Sequence, residues 1–100
     1  MPEGEPQHEQ PPRDISREFA EMLSSDFRAF CRALQDEPSL SITWTWSGIG
    51  MLGVIKARQV KAFLEGTRPG QKRYATIRAT DAQHDSELNV FGSGVQWERI

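Results

Sequence analysis

Residues Ser39 to Ile55 read S-L-S-I-T-W-T-W-S-G-I-G-M-L-G-V-I. Leu40, Ile42, Trp44 and Trp46 alternate with Ser41, Thr43 and Thr45, the period of a β-strand with one apolar and one polar face. The strand runs straight into Gly48, Gly50 and Gly53. These spell G-x-G-x-x-G, a spacing that can cradle phosphates where a strand turns into a helix. What lies on either side of this segment decides the fold.

Upstream, Asp14 is placed to cap a helix in which Ile15, Phe19, Met22, Leu23, Phe27, Phe30, Cys31 and Leu34 recur at spacings of three and four. Asp36-Glu37-Pro38 ends it. Arg17 with Glu21 and Arg32 with Asp36 stand at i,i+4 on its wet side. Ser24-Ser25-Asp26 lies in the middle, so one kinked helix and two shorter ones both fit.

Downstream, Val54 to Leu64 reads as a second, short helix, because Val54-Ile55 and Phe63-Leu64 break strict alternation. Gly66 then serves as its C-cap. Read instead as a strand, the segment would pair with Lys72 to Thr80 across Arg68-Pro69-Gly70-Gln71, whose Pro-Gly centre suits a type II turn. Lys72 to Thr80 alternates again, with Arg73, Ala75, Ile77 and Ala79 on one face. Asp81 to Ser86 is a polar loop, and Glu87 to Phe91, Gly92-Ser93-Gly94 and Val95 to Ile100 read as a closing hairpin. The expected fold is α+β, with an N-terminal amphipathic helix packed on a small, mainly antiparallel sheet and a second short helix beside it.

Residues 1–13 hold four prolines and three glutamates, with Met1 the only aliphatic side chain, so they are expected as a disordered tail before a single domain at 14–100. Some 87 residues can bury one core and are too few for a doubly wound sheet with a separate substrate domain. Cys31 is the only cysteine, which excludes an intrachain disulfide and any multi-cysteine zinc site. No secretory signal is recognisable at the start, and the longest apolar-plus-glycine run, Gly48 to Ile55, is far below the ~18 residues of a membrane span. A cytoplasmic location and no transmembrane segment are the expectations.

Charge is segregated. Residues 1–39 carry nine acids and four bases, 40–79 one acid and seven bases, and 80–100 four acids and one base. The basic middle holds Lys56, Arg58, Lys61, Arg68, Lys72 and Arg73, with Tyr74 beside them, a set that could track phosphates and stack a base. That set is the nucleic-acid alternative. The leading expectation is a protein partner held by the strand-loop residues Trp44, Trp46, Ile49, Met51 and Leu52, or by the adjacent basic turn, because tryptophan and arginine are enriched at interface hot spots.

Dinucleotide binding fits poorly, since Arg68 stands where an acidic ribose ligand is expected, ~20 residues after the glycines. His84 lies among Asp81, Asp85 and Glu87 without any zinc or calcium loop spacing, and Ser93 in G-S-G lacks a nucleophile elbow. Cys31 shares the apolar stripe of the helix and reads as a buried, inert thiol. No nucleophile is paired with a base. The expectation is a non-enzymatic chain with no cofactor, no metal and no catalytic residue, its homo-oligomerisation left open.

Overall fold

A computed structural model of the chain describes residues 11–47, 50–80 and 95–99. The elements run β1 (Arg13–Asp14), α1 (Ser16–Glu21), a 3-10 turn (Ser24–Asp26), α2 (Phe27–Ala33), β2 (Ser39–Trp46), α3 (Met51–Glu65), β3 (Lys72–Ala79) and β4 (Gln96–Arg99). The strands lie in the order β1-β2-β3-β4. Every neighbouring pair is parallel, from Arg13 opposite Leu40, through Ser39 opposite Lys72, to Thr76 opposite Gln96.

Two expectations are corrected. The sheet is parallel, not mainly antiparallel, because α3 carries the chain back across the sheet between β2 and β3 instead of a hairpin turn. The first helix is not N-terminal, since β1 precedes it and it begins at Ser16. The Gln96–Arg99 half of the expected hairpin pairs in parallel with β3, and its other half lies outside the described residues. The boundary expected at Asp14 falls inside β1.

Strand order explains the layering. The β1-to-β2 and β2-to-β3 crossovers step the same way across the sheet, and right-handed crossovers in one direction stack their helices on one face. Leu40, Ile42 and Trp46 of β2 and Ala75, Ile77 and Ala79 of β3 are buried there, against Ile15, Phe19, Leu34, Ala57, Val60 and Phe63 of the helical layer. Each of the large side chains contributes about 1.5–3 kcal/mol by leaving water. Thr43, Thr45, Tyr74 and Arg78 are exposed on the other face. Parallel sheets usually carry near-continuous apolar strands because both faces are covered. Here one face is polar, and the strands alternate as antiparallel ones do.

The apolar stripe ahead of β2 is broken rather than continuous. Met22 and Leu23 are extended (ψ 141° and 144°), which ends α1 and turns Leu23 outward to 68 % exposure. Of the two expected ion pairs, Arg17–Glu21 forms at 3.5 Å. Arg32 and Asp36 form none, since α2 ends at Ala33 and Asp36 lies past it. The Arg68–Gln71 turn is closed by Gln71 N donating to Arg68 O at 3.0 Å, with Gly70 at φ 87° as type II geometry requires. No described helix is long and apolar enough to cross a membrane.

Candidate interaction surface

β2 outruns its neighbour. β1 pairs with it only at Leu40 and Ser41, after which Ile15 N donates to Ser41 O (2.9 Å) and the Ser16 hydroxyl accepts from Thr43 N (2.7 Å). The diversion begins at Asp14, whose carboxylate accepts from both the backbone N–H and the hydroxyl of Ser16. Those bonds hold the Asp14 carboxyl below its usual range, the hydroxyl contact most strongly. Beyond Thr43 the chain of α1 leaves the sheet. Alternate residues of β2 direct their N–H and C=O groups toward β3 or away from it, so Thr43 O and both backbone groups of Thr45 face an open edge. They make no hydrogen bond among the described residues.

Beside that edge lies a crevice of about 320 Å³, lined by Ala20, Trp44, Thr45, Leu52, Gly53 and Lys56 among others. It sits between the end of α1 and the start of α3. Both tryptophans of β2 point to the helical layer with rings stacked at 5.7 Å, and they differ in depth. Trp46 is 2 % exposed and forms part of the core, whereas Trp44 is half-buried and lines the crevice. Gly53 permits the depth of Trp46, since a Cβ at that position would lie 2.4 Å from the indole Nε1. Met51 and Leu52, at the start of α3, are 70 % and 64 % exposed.

Lys56 holds the crevice together from below. Its Nζ donates to Phe19 O (2.6 Å) and Met22 O (2.9 Å) and lies 4.6 Å from the centre of the Phe19 ring. The carbonyls at the end of α1 would otherwise lack donors. Burial lowers the Lys56 pKa from its ordinary value. The ammonium is thus spent on internal carbonyls and is withdrawn from any phosphate.

No protein-family model, curated protein or solved structure matches the chain.

Of the residues expected to contact a protein partner, Trp44 and Leu52 line the crevice, Met51 is exposed next to Leu52 at the start of α3, Trp46 is buried in the core, and Ile49 falls outside the described residues. The basic set does not converge. Lys56 is buried, Arg58 is exposed on α3, and Lys61 is half-buried there. Arg68 and Arg73 line a separate groove, and Lys72 and Tyr74 stand on the polar face of the sheet. Cys31 is half-buried in that groove rather than sealed in the core, and burial pushes its thiol up while Arg73 draws it partly back. Among the described residues no cluster of histidine, cysteine and carboxylate groups could hold a metal ion. The loop around His84 lies outside them.

Sequence reasoning overlooks Leu23 and the Thr43–Thr45 edge. Ser24-Ser25-Asp26 is the one signal for Leu23, because a helix that restarts there releases the residue before it from the stripe. The edge leaves no signal, since it depends on the length of β1.

Proposed function

We propose that this chain is a small, non-enzymatic protein-interaction module that takes up an extended segment of another protein along the free edge of β2. The open Thr43–Thr45 edge beside the crevice carries this reading. An added strand would supply the N–H and C=O partners those groups lack among the described residues, which is the chemistry of β-augmentation. Its side chains would alternate. One set would enter the crevice against Trp44 and Leu52, and the other would lie beside Thr43 and Thr45 on the polar face of the sheet. The partner segment is therefore expected to alternate apolar and polar residues. Exposed Leu52 at the rim supports the same reading, because an apolar side chain bound there would cover it.

The test is selection from displayed random peptides of about ten residues, long enough for one strand. Thr45→Pro removes the outward N–H at a position where an edge strand tolerates proline, and Leu52→Asp charges the crevice rim. Enrichment of alternating apolar peptides whose binding both substitutions abolish is the expected result. Failure to enrich such peptides, or binding indifferent to Thr45→Pro, would overturn the proposal.

A further inference from the structure

The opposite end of α3 carries a second, independent feature. A groove of about 230 Å³ is lined by Cys31 and Arg32 of α2, Gln35 just beyond it, Gly66 after α3, and Arg68 and Arg73. Three arginines line it, and among the described residues no carboxylate does. Arg73 is fixed in place. Its Nη1 donates to Phe63 O at 2.8 Å, and its guanidinium carbon lies 4.7 Å from the centre of the Phe63 ring. Gly66 makes room for this approach, since a Cβ there would come within 3.2 Å of Nη1. Nη2 of Arg73 is left without a hydrogen-bond partner among the described residues.

The other two arginines are freer still. Arg68 makes one long contact, from Nη2 to Gln35 Oε1 at 3.4 Å, and Arg32 makes no ion pair or side-chain hydrogen bond among the described residues. The turn carrying Gln35 is itself held, because Gln71 Nε2 donates to the carbonyls of Gln35 (2.6 Å) and Glu37 (3.0 Å). Three like charges around one groove, with no counter-charge among the described residues that line it, repel one another, and a bound anion removes that cost. Planar guanidiniums with spare N–H pairs match the oxygens of a phosphate in bidentate fashion.

We infer that this groove is a phosphate-binding site, with Arg73 as its fixed wall and Arg32 and Arg68 closing on the ligand. The phosphate comes either from a small phosphorylated molecule or from a polynucleotide backbone, and the two are separable. The full chain, labelled with 15N, is titrated with inorganic phosphate and pyrophosphate, and in a parallel arm with a short single-stranded oligonucleotide. Saturable shifts at the amides of Gln35 and Gly66 are expected, together with slower alkylation of Cys31 as the groove fills.

Arg32→Gln and Arg68→Gln, both at exposed positions, should each weaken binding about tenfold or more, as loss of a charge-assisted hydrogen bond does. Arg73→Gln disturbs the packing on Phe63, so the decision rests on the other two variants. A gain in affinity with the oligonucleotide that falls steeply with salt assigns the phosphate to a polynucleotide. Equal or better binding of pyrophosphate assigns it to a small ligand. Absence of saturable shifts with every probe, or shifts unchanged in both variants, would overturn the inference.

Discussion

Replacing Gly53 with alanine tests what the glycines after β2 are for. A Cβ at Gly53 would lie 2.4 Å from Trp46 Nε1, 3.0 Å from its Cδ1 and 3.3 Å from its Cε2. The obstacle is the face of an indole that is 2 % exposed and stacked on Trp44, so it has no flexible end to swing away. Either α3 must lift from the sheet or Trp46 must leave its position, by about 1 Å to restore ordinary contact. Overpacking of this kind costs about 1–3 kcal/mol, and a contact this short belongs at the upper end. Against it stands about 1 kcal/mol gained by alanine over glycine inside a helix. The expected net loss is about 2 kcal/mol, or about 8–16 °C in Tm for a domain of this size.

The assay is urea unfolding of the wild type, Gly53→Ala, Trp46→Phe and the double variant. If the clash with the indole causes the loss, Gly53→Ala becomes neutral or stabilising by about 1 kcal/mol in the Trp46→Phe background, because only the helix preference remains. A wild-type-like Gly53→Ala, or an equal loss in both backgrounds, would refute the assignment of Gly53 to close helix-to-sheet packing. Gly66→Ala is the control. Its new Cβ comes closest to the Arg73 guanidinium at 3.2 Å, a few tenths of an ångström inside ordinary contact, so a smaller loss is expected.

Lys56→Met leaves the carbonyls of Phe19 and Met22 without their donor and should cost about 1–3 kcal/mol by chemical denaturation. The lysine pKa is lowered in the folded chain, so the unfolded chain binds more protons between that value and ~10.4, and stability rises with pH across this window. Lys56→Met should flatten that rise. Ser16→Ala removes the acceptor of Thr43 N and the donor to Asp14, with an expected loss of about 0.5–1.5 kcal/mol. The Asp14 carboxyl is depressed when folded, so its contribution is present above the ordinary carboxylate range and lost as pH falls through the folded value. Acid titration of Ser16→Ala should show less of that loss. Leu52→Asp lies at an exposed position and should change stability by no more than about 0.5 kcal/mol while abolishing peptide capture.

The alternation in β2 and β3 is legible in the sequence because it reports burial of one face, and both strands do bury that face. Strand direction is not legible from the same signal. A parallel sheet covered on one side repeats polar and apolar residues at period two, as an antiparallel sheet does, so Thr43, Thr45 and Tyr74 argue equally for both. The broken periodicity at Val54-Ile55 and Phe63-Leu64 separates helix from strand, and with it crossover from hairpin. The depth of the two tryptophans could not be ranked from spacing, since Gly53 admits only Trp46 to the core. Nor could the basic residues be grouped. Neighbours such as Lys72 and Arg73 leave a strand on opposite faces, so a charge cluster in sequence becomes two surfaces in space.

The open edge and the crevice share one local cause. Asp14 accepts from the backbone and hydroxyl of Ser16, which turns the chain out of the sheet after two strand residues, and that hydroxyl then occupies Thr43 N in place of a backbone carbonyl. A longer β1 would have covered Thr45. The short helix that follows stops at Glu21, where Lys56 secures its last carbonyls, and so it does not extend over Trp44 and Leu52. Both truncations expose the same end of β2, one along its backbone and the other above its side chains. A partner strand would therefore satisfy hydrogen bonds and bury apolar surface at a single place, a coincidence that neither truncation alone would produce.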